Sequence, residues 1–153
     1  MYVIVVGAGK VGYHLTRTLI AEGHEVTLTE KNPARVAELT AEFGETLVVG
    51  DGCEVRVMQD VGMSRADCVV AVTGHDEDNL VVCQIAKHRF KVPRVLARVY
   101  DPIRAEVFRD SGIETICSTL LGAGVFHDLL LERPLLNAAE YFLPRNGQPP
   151  AAG

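Results

Sequence analysis

Residues 2–12 have the sequence YVIVVGAGKVG, in which an apolar run passes directly into glycines at positions 7, 9 and 12. An apolar run that ends in glycine is typical of a buried parallel strand, here Tyr2–Val6. Val11, Leu15, Leu19 and Ile20 then recur with helical spacing, which predicts a helix over residues 10–22 with these side chains on its buried face. A strand, a GxGxxG loop and a helix in this order are typical of the phosphate-binding turn of a Rossmann domain.

The glycine loop, Gly7–Gly12, is the predicted phosphate site. Gly7 permits the tight turn, Gly9 lets the backbone approach a pyrophosphate, and Gly12 lets the helix pack closely on the strand. The free N–H groups and partial positive charge at the helix N-terminus favour bound phosphate. Lys10 either reaches the phosphate oxygens or points to solvent, and the sequence leaves both open.

The rest of the chain continues to alternate strands with helices. Further strands are predicted at 25–29, 46–49, 67–72, 94–98 and 114–117, with helices at about 33–43, 54–61, 77–90, 102–111 and 120–132. The pairs Asn32-Pro33 and Asp101-Pro102 mark two helix starts, with the polar residue as N-cap. We therefore predict a doubly wound α/β domain over 1–133, with six parallel strands in the order 3-2-1-4-5-6 and a C-terminal apolar helix. Residues 134–153 are predicted to be a tail or linker stub, largely disordered at its end.

Composition excludes several classes of protein. The chain has 153 residues, 48% of them hydrophobic, and a net charge of −5, which fits one globular domain without affinity for nucleic acid. No segment reaches the roughly 18 apolar residues of a membrane span, and the N-terminus lacks the features of a signal peptide, so we expect a cytoplasmic protein without direct membrane insertion. The four cysteines have no metal-ligand spacing and are interpreted mainly as small core residues.

Other candidate ligand-binding residues follow the predicted strands. Glu30 ends the second strand at about the spacing of the carboxylate that binds ribose hydroxyls in Rossmann domains. That carboxylate would repel a 2′-phosphate, which favours NAD over NADP, although Lys31 weakens the exclusion slightly.

The ends of the third, fourth and fifth strands carry further candidates. Asp51 follows the third strand, and Thr73-Gly74 follows the fourth. We interpret Asp51 and the acids at 76–78 chiefly as helix caps. Arg98 ends the fifth strand, where it either contacts a phosphate or pairs with an acid.

Five ordered motifs within residues 1–132 resemble one known family, the N-terminal domain of TrkA-type potassium uptake regulators, also called RCK or KTN. They are GAGKVG at 7–12, TEK at 29–31, VVGDG at 48–52, ADCVVAVTGHDEDN at 66–79 and RVYDP at 98–102. The resemblance implies a non-catalytic, nucleotide-sensing subunit that binds NAD or NADH, or ATP or ADP, and gates a membrane potassium channel or transporter. It also implies a homodimer or a larger ring at the inner face of the membrane.

The resemblance assigns roles to single residues. Gly7–Val11 would hold phosphates, and Arg98 would contact them. Glu30 would hold the ribose, a position where many relatives carry Asp. Thr73-Gly74 would flank the nucleotide, and Asp51-Gly52 would line the adenine side. The full candidate set is Gly7, Ala8, Gly9, Lys10, Val11, Gly12, Glu30, Lys31, Asp51, Gly52, Cys53, Thr73, Gly74 and Arg98.

Two further expectations concern partners. Many members of the family continue into a second small domain after the last helix, so this chain would work either with a second regulatory subunit or as a single-domain form. The apolar helix at 122–131, with Val125, Phe126, Leu129, Leu130 and Leu131, is expected to pack on a partner subunit. The alternatives to the sensor are a small NAD-dependent oxidoreductase and an interaction domain that binds no ligand.

Overall fold

Six parallel strands form the sheet in the computed structural model, which describes residues 1–142 of the chain. The strands are β1 (Tyr2–Val6), β2 (Glu25–Glu30), β3 (Leu47–Val49), β4 (Cys68–Ala71), β5 (Arg94–Val99) and β6 (Glu114–Cys117). Their order across the sheet is β3-β2-β1-β4-β5-β6. The predicted Rossmann order is therefore confirmed. β1 lies in the middle of the sheet and pairs with β2 on one side and with β4 on the other.

Within residues 1–142, six α-helices cover the two faces of the sheet. They are α1 (Lys10–Ala21), α2 (Pro33–Phe43), α3 (Val55–Asp60), α4 (Asp76–Gln84), α5 (Pro102–Asp110) and α6 (Ser118–Leu130). The two predicted N-caps are confirmed, because Asn32 accepts from the amide of Ala34 and Asp101 from that of Ile103. No helix among residues 1–142 is long and apolar enough to cross a membrane.

The alternation of β1 side chains divides the interior into two cores. Val3 and Val5 pack with Leu28 on one face, whereas Ile4 and Val6 pack on the opposite face with helices α3 and α4. All five residues of β1 are buried, as expected of a central parallel strand covered on both faces. The carboxyl ends of β1, β2 and β4 consequently meet at one edge of the sheet.

The predicted buried face of α1 was wrong in part. Its buried residues are Gly12 and Thr16, whereas Val11 and Ile20 are 43% and 42% exposed. The helix lies so close to the sheet that only a residue without a side chain fits at position 12, which turns Val11 outward.

The helix predicted over 77–90 is also not uniform. α4 changes at residue 85 into a π-helical segment, Ile85–Arg89. Within this segment Lys87 donates from Nζ to the backbone carbonyls of Ser111 and Gly112. These carbonyls lie at the C-terminal end of α5, so the π segment supplies that helix with a cationic cap.

The chain folds back after α6. Residues Ala138–Phe142 form a short 3-10 helix, and the buried Tyr141 ring lies against Gly124 of α6. The Tyr141 hydroxyl accepts a hydrogen bond from the amide of Leu136. The domain boundary at 133 stays a prediction, and the predicted disorder at the end of the tail concerns residues outside those described.

Candidate functional site

A cleft of about 530 Å³ opens at the carboxyl ends of β1, β2, β3, β4 and β5. This is the edge at which open α/β sheets bind ligands, and the volume is that of a small-molecule site. The predicted residues that line it are Gly7, Gly9, Lys10, Glu30, Lys31, Asp51, Gly52, Cys53, Thr73, Gly74 and Arg98. The fold thus gathers candidates from five separate segments around one cavity.

The glycine loop at the centre of the cleft is held tightly between strands. Gly7 has a φ of +103° and donates its amide to the Thr29 carbonyl at 2.8 Å. A Cβ at Gly7 would lie 2.9 Å from the Thr73 amide nitrogen. Gly9, the N-cap of α1, has no atom within 4 Å of the position of an added Cβ. The loop is therefore packed at Gly7 against Thr73, in the segment that follows β4, and is open to the cleft at Gly9.

Ala8 does not line the cleft, although the sequence placed it in the candidate set. It is fully buried, its amide donates to Glu30 Oε2 at 2.9 Å, and its carbonyl accepts from Arg35 Nε at 3.1 Å. Glu30 Oε1 also accepts from the Asn32 amide at 2.8 Å. Ala8 therefore orients the loop between a carboxylate and a guanidinium. Sequence reasoning missed Arg35, whose contact depends on how α2 packs beside the loop.

Val11 and Gly12 are also absent from the cleft wall. Val11 faces away from it, and Gly12 is buried beneath the loop, where an added Cβ would meet the Gly7 carbonyl. Gly12 thus supports the glycine loop through close packing and does not line the cleft.

A buried amide connects the ends of β4 and β5. Asn79 of α4 is fully buried, and its Oδ1 accepts from the Thr73 amide at 2.9 Å and from the Thr73 hydroxyl at 2.8 Å. Its Nδ2 donates to the Arg98 carbonyl at 2.8 Å. Asn79 fixes the two strand ends that carry Thr73 and Arg98 relative to each other.

The Arg98 side chain lies across the top of β4. Its Nη2 donates to the Thr73 carbonyl at 2.7 Å, and its guanidinium carbon lies 4.5 Å from the centre of the Tyr100 ring. Its buried Nε–H has no hydrogen-bond partner among residues 1–142, and no carboxylate of this part of the chain forms an ion pair with it. Of the two roles that the sequence left open for Arg98, pairing with an acid is not found among residues 1–142, and contact with a phosphate stays a prediction.

The interpretation of Asp51 as a helix cap was wrong. Asp76 lies in the first turn of α4, as expected of a helix-start acid, but its carboxylate binds amides of another segment. Asp76 is buried and accepts from the amides of Tyr100 and Asp101 at 2.9 and 3.1 Å, so it ties the start of α4 to the loop after β5. Asp51 accepts from the Cys53 amide at 2.8 Å within its own loop, and no side chain caps α3. These pairings depend on contacts between segments and on turn geometry that helical spacing does not encode.

An ion pair crosses the mouth of the cleft. Lys31 Nζ lies 2.9 Å from Asp78 Oδ2, and this hydrogen bond raises the pKa of the lysine. Beneath it, burial raises the pKa of the Cys53 thiol to about 11, assisted by the carboxylates of Asp51 and Asp78. Cys53 is therefore a neutral thiol at pH 7.

Several residues that line the cleft were missed by sequence reasoning. They are Val6, Thr29, Asn32, Gly50, Val72, His75, Asp78, Val82 and Tyr100. Six of them lie inside motifs quoted above but were given no role in binding, and Val6 and Asn32 each adjoin a motif by one residue. Asp78 and Val82 lie on α4, and only the packing of that helix brings them to the cleft.

Residues 3–119 match the model of the TrkA-N domain. The chain belongs to the TrkA-N domain family. It is 34% identical over 134 residues to a Trk system potassium uptake protein TrkA homolog of Methanothermobacter thermautotrophicus, covering 88% of this chain and 62% of the relative. It is 41% identical over 120 residues to the Trk system potassium uptake protein TrkA of Mycobacterium tuberculosis, covering 78% and 54% respectively. This TrkA-N chain thus spans a little over half the length of these relatives.

Solved structures share the fold of this TrkA-N domain. The TrkA-N domain of the inner membrane protein ybaL from Escherichia coli superposes with a TM-score of 0.76 at 21% identity, covering 84% of this chain and 96% of that one. The GsuK channel bound to NAD gives 0.71 at 19% identity, with coverages of 82% and 22%. A Shewanella denitrificans Kef CTD in AMP-bound form gives 0.69 at 19% identity, with coverages of 92% and 86%.

Proposed function

We propose that this TrkA-N domain is a cytoplasmic nucleotide sensor that binds NAD or NADH, or ATP or ADP, and gates a membrane potassium channel or transporter. The observation that carries the proposal is the cleft itself, which is lined by a glycine loop open at Gly9, by the Glu30 carboxylate and by Arg98, which forms no ion pair among residues 1–142. The names of the relatives supply the link to potassium uptake. Two structural neighbours were solved with NAD and with AMP, which share an adenosine monophosphate unit.

The proposed pose follows from the chemistry of the wall. The phosphates would lie at the N-terminus of α1, where Gly9 leaves the backbone accessible and Lys10 and Arg98 add positive charge. The ribose would bind the Glu30 carboxylate, and the base would lie along the Asp51–Cys53 loop. If the domain has two conformations, ligands that differ in phosphate number would differ in how much more tightly they bind one conformation than the other. A ligand shifts the equilibrium between two conformations only through such a difference in affinity.

The hydrogen bonds of the acidic groups and the protonation of the thiol in the cleft fit a non-catalytic role. Glu30 accepts two backbone amides, Asp78 is paired with Lys31, and Asp51 accepts the Cys53 amide. The raised pKa of Cys53 keeps its thiol protonated at neutral pH, so it is a poor nucleophile. The sensor is therefore preferred to an oxidoreductase, and turnover of NADH with added carbonyl compounds would contradict this choice.

The binding proposal is tested by calorimetric titration with AMP, ADP, ATP, NAD, NADH and NADP. We expect binding of ligands with a free 2′-hydroxyl and weaker binding of NADP, because Glu30 repels a 2′-phosphate. Arg98→Ala is expected to weaken binding by about 1.5–3 kcal/mol, the size of one hydrogen bond to a charged group. Arg17→Ala is the matched control, since Arg17 is 57% exposed and pairs with Glu42 outside the cleft. Failure of every nucleotide to bind the folded protein would reject the proposal.

The exposed face of α6 supports the further proposal of a homodimer. Phe126, Leu129 and Leu130 are 71%, 57% and 81% exposed, which is unusual for neighbouring large apolar side chains on one helix. Pairing of two copies would bury this face, and the dimer would act on the transporter either as part of a larger ring or with a second regulatory subunit.

The dimer is tested by sedimentation at micromolar concentration. We expect the wild-type chain to sediment as a dimer, and the Phe126→Asp/Leu130→Asp variant as a monomer with unchanged nucleotide affinity, because charged side chains oppose burial of this face. A wild-type chain that sediments only as a monomer would contradict the proposed interface.

A further inference from the structure

Thr29 carries a buried hydroxyl at the wall of the cleft. The residue is 2% exposed, and its Oγ1 has no hydrogen-bond partner among residues 1–142. Its backbone carbonyl is already engaged by the Gly7 amide. Two positions earlier on the same strand, the Thr27 hydroxyl is paired with the Tyr2 hydroxyl at 3.0 Å. Within β2, the threonine without a partner is therefore the one that lines the cleft.

The register of β2 indicates on which face of the sheet Thr29 lies. Glu30 turns to the glycine loop, so the alternation of side chains along β2 directs Thr29 to the opposite face of the sheet. Thr29 is in register with Val6 of β1. A Cβ at Gly52 would lie 2.4 Å from Val6 Cγ1, so the loop at 51–53 packs over this same face. Thr29 thus lies on the face of the sheet that the 51–53 loop covers, and the base is proposed to lie along that loop.

A buried hydroxyl without a partner is unfavourable, since it has lost its hydrogen bonds to water. Valine has the same shape and would fill this position without that cost. We propose that Thr29 is a ligand-contacting residue whose hydroxyl forms a hydrogen bond with the nucleoside part, base or ribose, of an adenine nucleotide. The inference rests on the proposed function and adds to it a contact that none of the sequence motifs predicted.

Thr16 provides a matched control within the same chain. It is fully buried in α1, its hydroxyl also has no partner among the described residues, and it does not line the cleft. Thr→Val at either position removes the same hydroxyl from a buried site. The two variants therefore separate an effect on folding from an effect on the ligand.

The experiment compares wild type, Thr29→Val, Thr29→Ser and Thr16→Val by calorimetric titration with AMP and by thermal unfolding without ligand. We expect Thr29→Val to weaken AMP binding about 2- to 12-fold, the size of one neutral hydrogen bond, without lowering the unfolding temperature. Thr29→Ser keeps a hydroxyl and is expected to retain most of the affinity. Thr16→Val is expected to bind AMP as wild type does.

The outcomes distinguish this inference from the proposed function. If wild type and Thr29→Val bind AMP equally well, the Thr29 contact is rejected and the nucleotide site stands. If wild type binds no nucleotide, both are rejected. Loss of affinity in Thr29→Val together with a lower unfolding temperature, not rescued by serine, would assign Thr29 a structural role and also reject the contact. If the loss disappears with 2′-deoxy-AMP or with 3′-deoxy-AMP, the hydroxyl contacts the ribose. If it persists with both, the hydroxyl contacts the base, and either result supports the inference.

Discussion

Gly12→Ala is expected to lower the free energy of unfolding by more than about 4 kcal/mol, or to prevent folding. The added Cβ would lie 1.9 Å from the Gly7 carbonyl oxygen and 3.3 Å from Val72 Cγ2. The first of these is a backbone atom of the turn itself, so it cannot move aside as a flexible side chain would. Relief would require α1 to move away from the sheet or Gly7 to move, and Gly7 is held by its hydrogen bond to the Thr29 carbonyl. Urea unfolding monitored by circular dichroism measures the effect.

Gly9→Ala is the matched control for this substitution. It adds the same methyl group to the same loop, but no atom lies within 4 Å of the new Cβ, and the φ of −68° at Gly9 suits any residue. We expect its free energy of unfolding to stay within about 0.5 kcal/mol of wild type. Its affinity for nucleotides is expected to fall, because the new methyl group lies where the backbone would approach phosphate. Equal stabilities of the two variants would show that the close approach of α1 to the turn is dispensable.

The fold could be predicted from the sequence because its signals are local. The apolar run of β1, the glycines after it and the Asn32-Pro33 and Asp101-Pro102 pairs each specify their own element. The alternation of strands and helices then leaves few topologies, since crossovers are right-handed. The prediction failed for α1, where periodicity could not show that the closest approach to the sheet lies at Gly12 rather than at Val11.

The candidate site was predictable only in part, for a different reason. Residues at strand ends were found because parallel strands bring these ends together. The partners that hold them were not found, since Asp76 reaches the loop after β5 and Arg35 reaches Ala8 only after the helices have packed. Thr29 was missed because a threonine inside a strand resembles any other β-branched residue, and only its unpaired hydroxyl in the structure distinguishes it.

Glu30 has two roles in the proposed site, and its removal tests both. Each carboxylate oxygen accepts a backbone amide, from Ala8 at 2.9 Å and from Asn32 at 2.8 Å. Glu30→Ala loses both acceptors, and each hydrogen bond to a charged group contributes about 1.5–3 kcal/mol. Water can replace part of this at a partly exposed position, so we expect the free energy of unfolding to fall by about 2–4 kcal/mol. Urea unfolding measures this change.

Ligand preference tests the second role of Glu30. Without the carboxylate, the ribose loses its anchor and a 2′-phosphate is no longer repelled. We therefore expect the affinity of Glu30→Ala for NAD to fall at least about tenfold, as a lost charge-assisted hydrogen bond predicts, while its affinity for NADP changes little, so that the preference for NAD disappears. Glu42→Ala is the control, because Glu42 pairs with Arg17 and Tyr13 on the outer surface. If Glu30→Ala is destabilised but keeps the wild-type ratio of NAD to NADP affinity, Glu30 holds only the loop, and selection of the ribose must lie elsewhere in the cleft.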